Sequence, residues 1–328
     1  MVVRVPNWLG DVVLSLAALR DVRAAFPRAR LSVLARPSVA GFYGALPEVD
    51  ETLESRGVRA DARLLRGRCD AVVLLTNSFG SALSAWLARV PERWGWATDG
   101  RGGLLTRAAP APERLRGQNQ LYYYRAMLSA VGLATSDPPR SALACPPEWS
   151  ARGAELLGGP GPWIGLAPGA QFGSAKRWLP ERFAAAAQGL AGEEGAGVAV
   201  LGGAGERALA ARIAPLLDAP GVDLCGRTTL PELVGVLARL RLLISNDSGP
   251  MHVAAALGTP VVGVFGPTDW RETAPVGASH RLVREPVHCS PCLLRECPID
   301  HRCMTRLTAE RVADESRALL AAAGSAAP

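Results

Sequence analysis

The sequence predicts an α/β fold of two domains, each built on a doubly wound parallel sheet. At 328 residues the chain is longer than one hydrophobic core usually supports. Short apolar or β-branched runs alternate with longer Ala- and Leu-rich segments in both halves, as strands and helices do around a parallel sheet. The segment 134–149 carries four prolines and no apolar period, as linkers do. We therefore place a first domain at 1–150 and a second at 151–328.

The elements of the first half follow from these alternating runs. The short apolar runs predict strands within 2–5, 30–35, 51–55 and 71–76. The longer Ala- and Leu-rich segments predict helices over 12–26, 81–90 and 119–133. The last of these helices precedes the proline-rich linker and closes the first domain.

The second half repeats the alternation. Strands are predicted at 163–168, 197–203, 242–246 and 260–266, with helices at 179–191, 206–217 and 249–258. A C-terminal helix over 308–323 begins at the capping residue Thr308. Ligands of doubly wound sheets bind outside the carboxyl ends of the strands, so the turns after these strands are where chemistry is expected.

Composition and charge narrow the class of protein. Apolar residues make up 48% of the chain and charged residues 20%, as in a folded globular protein. No apolar run approaches the ~18–20 residues that cross a bilayer, so we expect a cytoplasmic protein, at most peripheral to a membrane. The net charge is +6, and residues 1–150 hold 19 Arg against 13 acidic residues. This excess indicates either an anionic partner of the first domain or simple drift towards Arg.

The first candidate site is the turn 6–11, between the first strand and its helix. Asp11 lies near the helix N-terminus, where an acidic residue is favoured as a cap or by the helix dipole. The alternative role is a general base, with Gly10 allowing a ligand to approach the backbone and Trp8 in a loop position suited to ligand contact. The residues of this turn leave both readings open.

The second candidate site is the turn 166–178, which follows a predicted strand and contains Gly169 and Gly173. Lys176 is the only lysine in a chain that uses Arg at its 35 other basic positions. A compact ammonium group suits contact with a phosphate, although chance also explains a single lysine. The turn lacks the G-x-x-x-x-G-K-[ST] pattern, which excludes a P-loop nucleotide hydrolase.

The third candidate site is the turn 246–252, where a strand ends and a helix begins at once. We expect Asp247 or Ser248 to cap this helix and Gly249 to leave its first amide groups free. Amide groups and the helix dipole together bind phosphate, and His252 lies in the same first turn. The pattern identifies an anion pocket but no particular reaction.

Two other segments carry recognisable residue patterns. The run 201–207 lacks the G-x-G-x-x-G spacing of a dinucleotide site, and the chain contains no D-x-D pair to hold a metal-bridged diphosphate. Four of the seven cysteines cluster at Cys289, Cys292, Cys297 and Cys303. Their number fits a tetrahedral zinc site, but the spacing after the first C-x₂-C is irregular, so a surface loop of reduced thiols fits equally.

Four segments together resemble one enzyme family. They are NWLGDVVLSLAALRDVRAAFP at 7–27, GLAPGAQFGSAKRWLPERFAA at 165–185, SNDSGPMHVAAALGTPVVGVFGPT at 245–268 and CSPCLLRECPIDHRCM at 289–304. The combination is similar to the lipopolysaccharide heptosyltransferases of glycosyltransferase family 9, in particular the heptosyltransferase II group. The resemblance spans residue 2 to about residue 310.

The resemblance implies a GT-B fold, in which two Rossmann-like domains face each other across a cleft. The first would bind the acceptor, heptosyl-Kdo2-lipid A, and the second the donor, ADP-heptose. The implied reaction is an inverting, metal-independent transfer of L-glycero-D-manno-heptose in lipopolysaccharide inner-core synthesis. It requires no cofactor, nucleic acid or transmembrane segment, and takes place in the cytoplasm or on the inner face of the bacterial inner membrane.

The resemblance also assigns residues. Asp11 matches the family's general base, with Trp8 and Gly10 on the acceptor side. Lys176 matches the lysine that contacts the donor phosphates. The remaining donor-binding matches are Asp247, Ser248, Gly249 and His252, with Glu206 and Thr228 near the adenosine. Gln171 and Phe172, ahead of the lysine, depart from the family pattern; we count them as donor-binding residues, and the sugar contacts stay open. Pro250 departs from the leucine common in the family and preorganises the helix start.

The sequence is also compatible with three alternatives. A family 9 enzyme with another acceptor or nucleotide sugar would keep the same fold. A non-catalytic nucleotide- or metal-binding protein would use Asp11 as a helix cap and the cysteine cluster as its site. A Rossmann oxidoreductase would bind a nicotinamide dinucleotide, for which the sequence lacks the fingerprint.

Overall fold

The structure is a computed structural model that describes residues 1–112, 117–277 and 279–325. The chain divides into two compact units, Met1–Ser141 and Ala142–Pro328. The division lies inside the proline-rich segment 134–149. Part of that segment is ordered against the second unit, since the Leu143 amide donates to the Ala256 carbonyl at 2.7 Å.

The first unit is a six-stranded parallel sheet with the strand order β3-β2-β1-β4-β5-β6. Its strands are β1 (Val2–Arg4), β2 (Ser32–Ala35), β3 (Glu51–Glu54), β4 (Ala71–Leu74), β5 (Glu92–Trp96) and β6 (Arg107–Ala109). Its helices are α1 (Leu9–Leu14), α2 (Leu16–Ala25), α3 (Pro37–Ala40), α4 (Val58–Leu65), α5 (Phe79–Leu87) and α6 (Gln120–Ala130). Short 3₁₀ turns lie at Gly41–Ala45 and Gly102–Leu104.

The sequence predicted the core of this first sheet but not all of its strands. The four predicted strands and three predicted helices are confirmed, the first helix being divided into α1 and α2 at Ser15. β5 and β6 were missed. β1 and β4 are buried along their whole length and so read as apolar runs, whereas β5 begins with two charged residues and β6 has three residues.

The second unit repeats the topology, with the parallel order β12-β11-β10-β7-β8-β9. Its strands are β7 (Trp163–Ala167), β8 (Gly197–Val200), β9 (Gly221–Asp223), β10 (Leu242–Asn246), β11 (Val261–Phe265) and β12 (His280–Arg284). Its helices are α7 (Pro147–Leu156), α8 (Pro180–Glu194), α9 (Arg207–Ile213), α10 (Leu230–Arg239), α11 (Gly249–Leu257), α12 (Trp270–Thr273), α13 (Arg302–Thr305) and α14 (Ala309–Ser325). Short 3₁₀ turns lie at Ser174–Lys176, Ala204–Glu206 and Ala214–Leu216.

The core of the second unit lies between its sheet and helices α8 and α14. Trp178 and Phe183 are fully buried there and pack edge to face with ring centres 5.0 Å apart. The indole N–H of Trp178 donates to the Leu307 carbonyl at 3.0 Å, so the start of α14 is tied to the segment that precedes α8. This segment carries Lys176, so the core fixes the backbone of a candidate site residue.

Both sheets have the strand order of a Rossmann fold, which confirms the predicted α/β class. In each, the order reverses between the first and fourth strands of the unit, β1 and β4 in the first and β7 and β10 in the second. Loops that leave such neighbouring strands in opposite directions open a crevice at the carboxyl edge. The candidate residues follow β1 in the first unit and β7 and β10 in the second.

Candidate active site

The predicted donor-binding residues all follow carboxyl ends of strands in the second sheet. Gln171, Phe172 and Lys176 follow β7, Glu206 follows β8, Thr228 follows β9, and Asp247, Ser248, Gly249 and His252 follow β10. Residues separated by up to about 80 positions therefore share one edge of one sheet. The topology accounts for this, because parallel strands end on the same side.

Lys176 and Asp247 form a largely buried ion pair at this edge. The Lys176 Nζ donates to Asp247 Oδ2 at 2.7 Å, and the two side chains are 11% and 4% exposed. The same oxygen accepts from the hydroxyl groups of Thr268 at 2.7 Å and Thr273 at 3.1 Å. Asp247 therefore fixes the position of the ammonium group and joins the β7 loop to the segment after β11.

The prediction that Asp247 or Ser248 caps α11 through its side chain was wrong. Ser248 occupies the N-cap position with extended backbone, but its hydroxyl lies 3.2 Å from that of Ser245 and makes no cap hydrogen bond. Asp247 is committed to Lys176 instead. The N-cap side chain of this nine-residue helix thus makes no cap hydrogen bond, and within the described residues its leading amide groups are available to another acceptor.

Asn246 locks the backbone beneath this site. Its side chain is fully buried, donates to the Pro168 carbonyl at 2.7 Å and accepts from the Trp178 amide at 3.1 Å. These two bonds pin both ends of the loop that carries Lys176 to the end of β10. Because a buried amide with both partners satisfied has one favourable arrangement, the loop geometry is strongly specified.

His252 is a buried, neutral side chain. Burial lowers its pKa to about 4, an effect that the nearby Asp247 opposes and Lys176 reinforces. Its Nε2 lies 4.0 Å from Asp247 Oδ1, beyond hydrogen-bond distance, and its buried Nδ1 has no hydrogen-bond partner in the described part of the chain. At neutral pH the imidazole can therefore offer one N–H to a ligand but no charge.

Two other predicted donor residues lie beside the ion pair. The half-buried ring of Phe172 has the Lys176 Nζ 5.1 Å from its centre, which is within cation–π range. Gln171 precedes it and is exposed. Phe172 therefore lies next to the ammonium group of Lys176, in the part of the second unit where donor binding is predicted.

Glu206 and Thr228 lie further along the same edge. The carboxylate of Glu206 accepts from the Gly203 amide at 2.6 Å and lies against the backbone of Gly169. Thr228 is half-buried between β9 and α10. Both follow strands on the opposite side of β7 from β10.

In the first unit, Asp11 lies in the first turn of α1 but does not cap it. Trp8 holds the N-cap position and is 54% exposed, and Gly10 lies within the helix. Asp11 is half-buried and accepts a hydrogen bond from the hydroxyl group of Tyr124, whose pKa is raised by burial first and then by Asp11. Asp11 is therefore not the N-cap residue, although it lies in the first turn, where the helix dipole favours a carboxylate, and a partner on α6 orients it.

Sequence reasoning missed this tyrosine and the polar groups around it. Tyr123 accepts from the Asn77 amide at 2.8 Å and packs its ring 5.6 Å from that of Trp96, at the ends of β4 and β5. The signal was available, because three of the four tyrosines are consecutive at 122–124. A second missed group is Arg101.

Arg101 is fully buried, with its Nε donating to the Trp96 carbonyl at 2.8 Å. Its Nη1 donates to the Ser81 hydroxyl at 3.1 Å, and burial lowers its pKa to about 10. Its Nη2 is buried and lacks a hydrogen-bond partner among residues 1–112, 117–277 and 279–325. Sequence alone gave no signal for it, since it is one of 35 arginines.

The cysteine cluster lies between β12 and α14, with Cys289, Cys292 and Cys297 in a loop and Cys303 in α13. Its four thiols are free, and burial followed by the neighbouring thiols raises the pKa of Cys303 to about 11. Within the described residues, no group of three or more His, Cys, Asp or Glu side chains is arranged to hold a metal ion. The same part of the chain contains no helix with the length and apolar character needed to span a bilayer.

Comparison with known proteins decides the family. The family model described as "Glycosyltransferase family 9 (heptosyltransferase)" matches residues 58–302, about three quarters of the chain. This chain belongs to glycosyltransferase family 9. The match confirms the family that the four segments indicated, and it makes the chain a glycosyltransferase.

Individual relatives are similar to this chain over most or nearly all of its length. Lipopolysaccharide heptosyltransferase 2 of Salmonella typhimurium is 32% identical over 302 residues, 85% of this chain and 86% of that protein. The Escherichia coli K12 protein of the same name is 30% identical over 338 residues, covering 96% and 97%. The solved structure of E. coli ADP-heptose lps heptosyltransferase II matches with a TM-score of 0.86 at 29% identity, covering 98% and 99%.

These matches also confirm the predicted GT-B architecture of the family 9 glycosyltransferase, with its two Rossmann-like parallel sheets. The family model begins at residue 58 and so leaves Asp11 outside its match. The solved E. coli structure matches 98% of this chain, so its match extends well beyond that of the family model. The roles of the individual site residues remain predictions.

Proposed function

We propose that this glycosyltransferase moves L-glycero-D-manno-heptose from ADP-heptose to heptosyl-Kdo2-lipid A. The observation that carries the proposal is the similarity to lipopolysaccharide heptosyltransferase 2, at 30–32% identity over 86–97% of the relatives' length. Similarity that extends over both units argues for a shared donor and a shared acceptor. A match confined to one unit would support only one of them.

The proposed reaction is a direct displacement at the anomeric carbon of the donor heptose. An acceptor hydroxyl oxygen forms the new bond to that carbon as the bond to the diphosphate oxygen breaks. The hydroxyl proton goes to the Asp11 carboxylate, and ADP leaves with the bonding electron pair. Attack opposite to the leaving group inverts the anomeric configuration.

Asp11 suits the role of general base because a hydrogen bond from a neighbouring helix orients its carboxylate. Tyr124 donates a hydrogen bond to it from α6, a helix that packs on α1. Trp8 and Gly10 belong to the same turn, on the acceptor side of the reaction.

Departure of ADP adds negative charge to the diphosphate, and the second unit offers groups that bind it. Lys176 supplies the positive charge, and the uncapped start of α11 at Ser248 and Gly249 supplies amide groups. Because Lys176 is paired with Asp247, a bound diphosphate would share or replace that partner. No metal ion takes part in this scheme.

The proposal includes a peripheral location on the inner face of the bacterial inner membrane. The acceptor is a lipid, and the arginine excess of residues 1–150 suits an anionic surface. Binding to vesicles that contain anionic phospholipid is expected at low salt and should weaken as salt is raised. Equal binding at low and high salt would refute the electrostatic contact.

The direct test is ADP release from ADP-heptose with heptosyl-Kdo2-lipid A as acceptor, in the presence of EDTA. Acceptor-dependent release by the wild type is expected, with a loss of at least about 100-fold in Asp11→Asn and unchanged ADP affinity. Asp70→Asn, at an exposed carboxylate of the same unit, is the matched control and should retain full activity.

Each failure of this test has a separate meaning. Full turnover in Asp11→Asn would refute the base assignment but leave the substrates in place. No release by the wild type would refute the substrates, and a screen of other nucleotide sugars would follow. Loss of activity in EDTA that added Mg²⁺ restores would refute the metal-independent reaction.

A further inference from the structure

The cysteine-rich loop, residues 288–303, is attached to the segment that carries Lys176. The Arg295 carbonyl accepts from the Ala175 amide at 3.0 Å, and the His301 Nε2 lies 2.7 Å from the Ala175 carbonyl. A Cβ on Gly173 would lie 2.2 Å from the Arg295 carbonyl oxygen, so the two backbones meet where only glycine fits. The loop is thus held by main-chain contacts beside the candidate site.

The same loop has a second attachment after β11. The Ser290 hydroxyl donates to the Gly266 carbonyl at 2.6 Å, and the Leu293 amide donates to the Pro267 carbonyl at 2.8 Å. The next residue, Thr268, donates to Asp247. The loop therefore bridges the two segments whose side chains meet in the Lys176–Asp247 pair.

Arg295 brings a second cation to this place. Its guanidinium carbon lies 5.3 Å from the centre of the Phe172 ring, and the Lys176 Nζ lies 5.1 Å from the same centre. The two cations are therefore at most about 10 Å apart, a span that one diphosphate covers with a hydrogen bond of about 2.8 Å at each end. Both face the ring within the range of a cation–π contact.

The charges of Lys176 and Arg295 differ in whether a carboxylate lies close enough to pair with them. Lys176 is only 11% exposed and is paired with Asp247. Arg295 is exposed, and within the described parts of the chain it has no carboxylate within ion-pair distance. Its main chain is fixed while its charge is unpaired, as expected of a group that meets an anionic ligand.

From this juxtaposition we infer that Arg295 binds the diphosphate of the nucleotide donor, and that the cysteine-rich loop serves to hold it there. The inference rests on the proposed function for the identity of the donor. A guanidinium group presents two parallel N–H donors to phosphate oxygens, which the single ammonium group of Lys176 does not. This gives the loop a role in donor binding that requires no metal ion and no disulfide.

The test measures ADP and adenosine affinity by calorimetry for the wild type, Arg295→Ala, Arg295→Lys and Arg306→Ala. ADP should bind at least about tenfold more weakly to Arg295→Ala, and adenosine, which lacks the diphosphate, should bind equally to all four. Arg295→Lys should retain part of the ADP affinity. Arg306 is exposed and serves as the matched control for the loss of one positive charge.

The inference is overturned if Arg295→Ala binds ADP within about twofold of the wild type, or if Arg306→Ala weakens ADP binding equally. Gly173→Ala separates placement from mere packing, since it displaces the Arg295 backbone and keeps its charge. Weaker ADP binding in Gly173→Ala but not in Arg295→Ala would show that the loop acts only as a brace, which also overturns it.

The outcome is distinguishable from failure of the proposed function. A wild type that binds ADP but does not turn over ADP-heptose refutes the proposed function, while the affinity differences still decide the role of Arg295. A wild type that prefers another nucleoside diphosphate refutes the choice of ADP, and the four proteins are then compared with that nucleotide.

Discussion

Removing the charge of Asp247 should destabilise the second unit by about 3–5 kcal/mol, the usual cost of leaving one buried charge without its partner. The side chains of Asp247 and Lys176 are 4% and 11% exposed and their charged atoms are 2.7 Å apart, so water screens the pair little. Asp247→Asn keeps the shape of the side chain and an acceptor for Thr268. The change therefore acts mainly on the charge.

A double-mutant cycle isolates the pair from these hydroxyl contacts. Lys176→Met removes the other charge, and the double variant should cost about 2 kcal/mol less than the two single variants together, because it leaves no charge buried alone. The assay is urea unfolding followed by tryptophan fluorescence, with fully buried Trp178 reporting on this unit. Agreement of the slopes between variants checks that the unfolding transition is the same.

An exposed ion pair supplies the control. Arg212 and Glu181 lie 2.6 Å apart with side chains 59% and 53% exposed, so Glu181→Gln should have little effect. The reasoning is refuted if Asp247→Asn costs under about 1 kcal/mol or no more than Glu181→Gln. It is also refuted if the two single changes add without coupling.

Three further predictions concern other parts of the molecule. When the pH is lowered from 7 to 4, the wild type should lose about 3 kcal/mol more of its unfolding free energy than His252→Gln, because the folded pKa of His252, about 4, lies below the ordinary 6.5 and the unfolded chain takes up the proton first. Urea unfolding at a series of pH values measures this loss, and equal dependence of the two proteins on pH would contradict it. Gly153→Ala should destabilise the protein by more than about 2 kcal/mol in the same assay, since the new Cβ would lie 2.3 Å from a backbone carbon of α10. Gly192→Ala, in open space on α8, should instead stabilise it by up to about 1 kcal/mol, and stability changes of the same sign in both variants would contradict this reasoning. Tyr124→Phe should lower kcat about tenfold, because the hydrogen bond to Asp11 is lost, and should leave the affinity for ADP unchanged. Unaltered steady-state kinetics would show that Tyr124 does not position Asp11 for the reaction.

The central strands of both sheets were predictable because a strand that is buried on both faces has a continuous run of apolar residues in the sequence. β4 and β10 are buried throughout and read as apolar runs. The edge strands β9 and β12 were missed, because they are largely half-buried or exposed and so carry no such run. Helix α10 was also missed, although it begins with a Thr–Glu capping box that the sequence contains at 229–232.

The candidate site was predictable only as separate turns. Lys176 and Asp247 could each be identified from their local sequence, but their ion pair joins positions 71 residues apart and depends on the order of strands. The Tyr124 contact to Asp11 and the docking of Arg295 on Gly173 are of the same long-range kind. Contacts between side chains from distant segments produce no recognisable spacing in the sequence, so motif searches do not find them.

The single lysine of this chain makes Lys176 a natural reporter group. Apart from the amino terminus, an amine-selective reagent has no other target in the sequence. An ammonium group held by a carboxylate and 11% exposed reacts slowly, and its rate follows how often that contact opens. Labelling of the unmodified protein, read as one mass increment on one peptide, would thus record occupancy of the site in real time without any engineered probe.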